Sequence, residues 1–173
     1  MATAQEAVKD FDVQLELLEY KHPEIQAYTV REVAEYFVKE VSNTLHKPVV
    51  KEDVGFEIEA LNGFPGPYAK YINEWILPEK IVAMMTGETN RHAKFLSVLS
   101  YCEPGSDPLS FISERRGLIA NEVRGENGWG IDKIFIPFGM DCTLASLSNQ
   151  ERVTLSNKNN WIELVHFLKK DTK

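Results

Sequence analysis

Long apolar runs are missing from this chain of 173 residues, and no stretch of it is long enough to span a bilayer as a helix. The opening residues, Met1-Ala2-Thr3-Ala4-Gln5-Glu6-Ala7, place no basic cluster before an apolar segment, which reads against a secretory signal. Cysteine is scarce. Cys102 and Cys142 have no metal-ligand spacing and build no disulfide framework, which fits two free thiols in a reducing cytosol. Positive charge is also short: 19 Lys and Arg against 26 Asp and Glu leave a net charge of -7, which argues against coating nucleic acid or an anionic membrane. Repeats, low-complexity tracts and long linkers are absent, so residues 1–173 read as one domain. The expected protein is cytoplasmic, with neither a nucleic-acid nor a membrane partner.

What remains is ordinary for a globular chain: 43% hydrophobic and 26% charged residues, enough to bury a core. Residues 4 to 10 read as a helix remnant. Asp12 to Glu19 alternates Val13, Leu15 and Leu17 against Gln14 and Glu16, predicting a half-buried strand. Thr29, with Glu32 three residues on, makes a capping box for a helix whose apolar face is Val30, Val33, Ala34, Phe37, Val38 and Val41. Pro48 to Glu52 and Phe56 to Leu61 read as two strands before an Asn62-Gly63 turn. Pro78 to Met85 reads as a helix with proline in its first turn. Ala93 to Tyr101 and Leu109 to Ala120 pair as an antiparallel hairpin, Lys133 to Pro137 is a short buried strand, and Trp161, Leu164, Val165 and Leu168 mark a final helix. This order predicts an α/β or α+β fold with a mixed sheet.

Three constellations carry chemistry. Glu24 follows Pro23 just after the first expected strand, and Asp53 ends a later one with Glu52 beside it. Neighbouring side chains on a strand point to opposite faces, so Glu52 and Asp53 cannot easily serve one ion, and one of them is expected to be structural. Glu24 and Asp53 together would suit Mg²⁺, which takes one or two protein carboxylates plus waters and phosphate oxygens. The turn Phe64-Pro65-Gly66-Pro67-Tyr68 is stiffened by two prolines and would hold Lys70 at a phosphate oxygen. In Arg124-Gly125-Glu126-Asn127-Gly128-Trp129-Gly130-Ile131-Asp132, glycines allow close backbone approach, Trp129 offers a stacking face, and Asp132 can accept hydrogen bonds from a base. Read singly, each also fits a plainer role: two solvated acids, a rigid surface corner with an exposed lysine, and a tight turn with a half-buried tryptophan.

Taken together, Pro23-Glu24-Ile25-Gln26, Glu52-Asp53-x-Gly55, Leu61-Asn62-Gly63-Phe64-Pro65-Gly66-Pro67-Tyr68 and Arg124-Gly125-x-x-Gly128-Trp129-Gly130-x-Asp132 resemble the Ham1 family, the inosine triphosphate pyrophosphatases, over roughly residues 4 to 168. The resemblance implies an elongated α/β fold, with a long mixed sheet and flanking helices in two lobes around a central cleft, in a homodimer. It implies cleavage of deaminated purine nucleoside triphosphates (ITP, dITP, XTP) between the α and β phosphates, by Mg²⁺-assisted in-line attack of water. Glu24 and Asp53 would hold the metal, and Asp53 would also orient the water. Lys70 would contact phosphate, Trp129 would stack on the base, and Gly130 and Asp132 would complete the base side.

This chain departs from the family pattern at several places. Family members open with a strand and a Thr-Gly-Asn-x-x-Lys phosphate loop. Ala4-Gln5-Glu6-Ala7-Val8 match the helix that follows it, so the first strand of the sheet is expected to be missing. A family lysine in the helix after Pro-Glu-Ile-Gln falls near Phe37. The Glu-Lys-Asn-x-x-Ser-His-Arg pattern reads Glu151-Arg152-Val153-Thr154-Leu155-Ser156-Asn157-Lys158. Arg152, Asn157 and Lys158 thus become the substrate-binding donors, with a geometry and reach unlike a histidine–arginine pair. These departures keep two alternatives open: a relative without catalysis that binds nucleotide or protein, and a same-fold enzyme for another nucleotide such as a nucleoside monophosphate.

Overall fold

The capping box is where local sequence and structure meet most directly. The Thr29 hydroxyl accepts the Glu32 N–H at 3.2 Å and the Glu32 carboxylate accepts the Thr29 N–H at 2.9 Å, starting helix α1, Val30–Leu45. The structure is a computed structural model that describes residues 4–5, 8–9, 13–155 and 158–170. Of the expected N-terminal helix, Ala4, Gln5 and Val8 are described and are helical.

After α1 the order is β1 (Val49–Ile58), β2 (Pro65–Gly66), α2 (Ala69–Trp75), α3 (Pro78–Met84), β3 (His92–Cys102), β4 (Leu109–Ile119), β5 (Phe135–Pro137), α4 (Asn149–Thr154) and α5 (Asn159–Lys170). The fold is α/β, with an open sheet ordered β2-β1-β3-β4-β5 and flanking helices. Where the resemblance implies a mixed sheet, the described strands pair antiparallel: β1 with β2 through Phe56↔Gly66, and β4 with β5 through Leu118↔Ile136. The short connection between β3 and β4 makes them the expected hairpin.

Three expectations need correction. Residues 13 to 19 form no strand: Val13 and Leu15 pack on a core while Leu17 is 63% exposed, so the alternation reports side-chain burial without a ladder partner. The two short strands around Gly55 are one, β1, because Gly55 stays extended and buried, and Asp53 therefore lies inside a strand rather than at its end. Lys70 sits in the first turn of α2, a helix the sequence reading missed.

By its internal packing the chain divides into two compact units. One comprises Met1–Asp53, Ser97–Ser113 and Asn157–Lys173, the other Val54–Leu96 and Glu114–Ser156. In the first unit, Leu99, Tyr101, Trp161, Leu164 and Val165 form one core with Ala4 and Val8, and Val38, Val41, Val49 and Cys102 form a smaller one. In the second, Phe56, Ile58, Ile81, Met85, Ile119, Ile131, Ile134 and Phe135 build the core, with Phe135 edge-on to Phe56 and Phe95. Cys102 and Cys142 are free thiols. Among the described residues no helix is long and apolar enough to cross a membrane.

Two polar clusters tie the strands together. In the first unit Glu52 accepts the Ser97 hydroxyl at 2.6 Å, the Asn160 amide at 3.3 Å and the Trp161 indole N–H at 3.1 Å, so it anchors α5, whose Asn160 is fully buried. In the second, Lys94 on β3 bridges Glu57 on β1 (3.4 Å) and Glu114 on β4 (2.7 Å), and Arg116 holds Glu114 from the other side at 2.7 Å. Hydrogen bonds from Lys94 and Arg116 lower the Glu114 pKa from its ordinary value, and the bond to Glu114 raises that of Lys94.

Replacing Glu52 by alanine leaves the Trp161 indole without its acceptor and takes one of two acceptors from the Asn160 amide, which keeps the Ser97 hydroxyl oxygen at 2.9 Å. The expected loss is about 1–3 kcal/mol, read as a lower urea midpoint, with Glu52→Gln costing less. A carboxylate depressed on folding stabilises above its unfolded value, 4.5 for Glu114, and this contribution is lost as pH falls through the lower folded value. Glu114→Gln is therefore expected to flatten the decline of stability below pH 4.5, measured by thermal unfolding across an acid series.

Candidate active site

Residues 20 to 24 are held against α1 by aromatic contacts. The His22 ring stacks near Tyr20 at 6.3 Å and meets Tyr36 at 5.7 Å and Phe37 edge-on at 5.6 Å, so the chain just before Glu24 is fixed without secondary structure. Glu24 thereby reaches β1. The Lys51 ammonium stands 3.5 Å from Glu24 Oε1 and 3.6 Å from Asp53 Oδ2, and 4.5 Å above the centre of the Phe37 ring. Lys51 and Asp53 are two apart on one strand and share a face, while Glu52 between them points the other way to Ser97 and Trp161. The two acids therefore take opposite faces, and Glu52 serves the packing of Ser97 and Trp161.

Two carboxylates that focus on one cation position fit Mg²⁺, which needs few protein ligands when waters and phosphate oxygens complete its shell. Among the described residues no group of three or more His, Cys, Asp or Glu side chains gathers to hold a metal. Lys51 escaped the sequence reading. It looked like one more charge beside Glu52 and Asp53, and its partners Glu24 and Phe37 lie on other elements.

The second unit holds Lys70, Trp129, Gly130, Asp132 and Arg152. Lys70 is exposed on α2. Gly125, Gly128 and the residues between shape a loop that leads into a 3₁₀ turn, Ile131–Lys133, which is tied to α2 by Asn73 accepting the Ile131 N–H at 3.1 Å. Trp129 is 57% exposed, its indole open to solvent. Its backbone N–H donates to Asp132 Oδ2 at 2.9 Å, and Arg152 Nη1 on α4 donates to the same oxygen at 3.2 Å. The capping box Ser148–Glu151, a signal present in the sequence and not used, starts α4 and orients Arg152.

Asp132 and Arg152, expected as separate base contacts, are thus one pair. Burial raises the Asp132 pKa, opposed by the Trp129 bond and by the charges of Arg152 and Arg115. Arg115, a second residue the sequence did not suggest, donates to the Leu155 carbonyl at the end of α4, and burial lowers its own pKa. Among the described residues Arg152 Nε is buried without a hydrogen-bond partner. Gly128, at φ +76°, is required here: a Cβ would come within 1.8 Å of Arg152 Nη1 and 2.1 Å of Asp132 Oδ2. Gly130 packs against Pro78 and Asn73, where an added Cβ would be 3.1 Å from Pro78 Cγ.

Lys158 lies in the first unit, half-buried, and its carbonyl accepts the Ile162 N–H at 3.2 Å at the start of α5. Asn157 lies outside the described residues.

Comparisons with known proteins point one way. The profile of the Ham1 family matches residues 1–164. A dITP/XTP pyrophosphatase of Methanopyrus kandleri is 42% identical over 160 residues, covering 92% of this chain and 85% of its own. The one from Thermococcus kodakarensis is 38% identical over 173 residues, covering 98% and 93%. Among solved structures, a HAM1 protein from Coxiella burnetii superposes with a TM-score of 0.82 at 27% identity, covering 98% of this chain and 92% of that one. The Staphylococcus aureus Ham1 protein does so at 0.73 with 31% identity, covering 98% and 85%. With its motifs, its fold and these relatives in agreement, the chain belongs to the Ham1 family.

Proposed function

We propose that this protein hydrolyses deaminated purine nucleoside triphosphates, dITP, ITP and XTP, to the monophosphate and pyrophosphate, with Mg²⁺ as cofactor. The observation that carries the reading is the focus of Glu24 and Asp53 on one cation position. Relatives named dITP/XTP pyrophosphatase, at up to 42% identity, supply the substrate class. Glu24 and Asp53 are the residues that would hold the metal. Bound Mg²⁺ supplies positive charge beside the phosphate oxygens and lowers the cost of charge on the leaving group.

The remaining work falls to side chains. Asp53 accepts a hydrogen bond from the water that attacks the α-phosphorus. The bond from that phosphorus to the bridging oxygen breaks, and pyrophosphate departs. Lys70 binds a phosphate oxygen as a mobile point charge. Trp129 stacks on the purine. Asp132 holds Arg152 and the Trp129 backbone in place, so that Arg152 can donate to a 6-oxo group, and Gly130 leaves the backbone beside Trp129 bare. Asn157 and Lys158 are further base-side donors. In this reading the enzyme acts as a homodimer on the cytoplasmic nucleotide pool.

With Mg²⁺ the protein is expected to release pyrophosphate from dITP and XTP faster than from dATP and dGTP. Asp53→Asn is expected to lower kcat by roughly 100-fold or more. Absence of pyrophosphate release from every nucleoside triphosphate would overturn the reading, and tight binding of a nucleoside monophosphate in that case would redirect it to a same-fold enzyme. Gly128→Ala is expected to push Arg152 off Asp132 and to cut the preference for dITP over dATP in kcat/KM by about tenfold, the scale of one lost charge-assisted hydrogen bond. An unchanged circular dichroism spectrum separates this from misfolding.

A further inference from the structure

We propose that Lys51 is the resident cation of the Glu24–Asp53 pair. Its ammonium keeps the two carboxylates facing one point before a divalent ion arrives. With a divalent ion held by Glu24 and Asp53, the Lys51 ammonium would be displaced and free to reach substrate phosphate. The proposal deepens the pyrophosphatase reading and rests on it for the phosphate.

The geometry carries three parts of the case. First, the ammonium is shared rather than captured. Its distances to Glu24 and Asp53, 3.5 and 3.6 Å, exceed those of the molecule's closed lysine pairs, 2.7 Å for Lys94–Glu114 and 2.9 Å for Lys39–Asp107. A charge-assisted hydrogen bond draws its partners to about 2.7–2.9 Å, so Lys51 is balanced between two acceptors and bound closely by neither. Second, the charges do not cancel. One ammonium faces two carboxylates here, whereas a doubly charged ion would match the pair in charge. Third, the ammonium has somewhere to rest. Phe37 presents its ring face 4.5 Å away, and His22 braces that ring from its edge.

The lysine stem is long and flexible, whereas Glu24 and Asp53 are set by a braced segment and by the sheet. A divalent ion seated between the acids would repel an ammonium at this distance, so the movable member of the cluster is Lys51. The Lys51 side chain is the most enclosed of the three, 19% exposed against 29% for Asp53 and 53% for Glu24. Lys51 is a positioning residue in this scheme, and its apolar stem contributes to the contact with Phe37.

The test reads metal affinity directly. Mn²⁺ is titrated into the full-length protein without nucleotide, followed by electron paramagnetic resonance of the free ion. Lys51→Met keeps a stem of similar length over Phe37 and removes the competing charge. It is expected to bind Mn²⁺ about three- to tenfold more tightly than the unaltered protein. Lys51→Arg keeps the charge and is expected to return the affinity to the unaltered value. The same Lys51→Met protein is expected to lose about tenfold in kcat/KM for dITP, from one missing phosphate contact.

Equal or weaker Mn²⁺ binding by a folded Lys51→Met protein overturns the proposal, as does failure of both proteins to bind Mn²⁺. If Lys51→Met does not fold, Lys51→Gln takes its place with the same expected gain. Turnover of dITP by the unaltered protein tests the functional reading separately, so tighter Mn²⁺ binding without turnover would leave Lys51 as the resident cation and remove the pyrophosphatase.

Discussion

The two-residue alternation of β1 is the constraint on which the site depends. Three charged residues stand in a row, Lys51, Glu52 and Asp53, and the pleat sends them to different jobs. Glu52 turns to the side covered by α5 and satisfies Ser97, the buried Asn160 amide and the Trp161 indole. Lys51 and Asp53 turn to the side covered by α1, where Glu24 meets them. A slip of one residue in register would exchange the two sets, leaving the Trp161 indole without its acceptor and carrying Asp53 into the packing of α5. Stability and chemistry are therefore secured by one strand. The acid that anchors the helix also fixes which face the other acid must take.

The second unit solves a different problem: holding a guanidinium still beside an exposed aromatic ring. Asp132 does this by accepting from Arg152 and from the Trp129 backbone with one oxygen. The pair is partly buried, and burial raises the pKa of Asp132, so the Trp129 N–H bond first, and then the charges of Arg152 and Arg115, favour its ionised form. Removing either partner of such a pair would strand the other. Gly128 gives the space. At Gly128 the backbone passes against the bonded carboxylate and guanidinium, whereas at Gly125 it passes against the Ala145 backbone, 2.3 Å from where a Cβ would stand.

Signals confined to a few neighbouring residues were legible. Thr29 and Glu32 announced α1, the paired runs around residues 93 to 120 announced the β3–β4 hairpin, and Pro78 marked the start of α3. Ser148 and Glu151 carried the same kind of signal for α4 and were readable by the same rule. The misreadings share a cause. Val13 and Leu15 alternate because they pack, yet a strand also needs a partner edge, which alternation does not report. Gly55 looked like a break between two strands, but its neighbours on the sheet keep β1 continuous. In both places the missing information was the identity of the neighbour.

By itself the sequence determined the family, the charged and glycine-rich segments, and the rule that Glu52 and Asp53 must part company, since motifs and strand periodicity are properties of adjacent residues. Tertiary structure decided which acid became structural, that Asp132 and Arg152 act as one pair, and that Lys51 joins Glu24, Asp53 and Phe37. Those outcomes depend on distances between segments far apart in the chain, and only the packing of α1, β1 and α4 sets such distances.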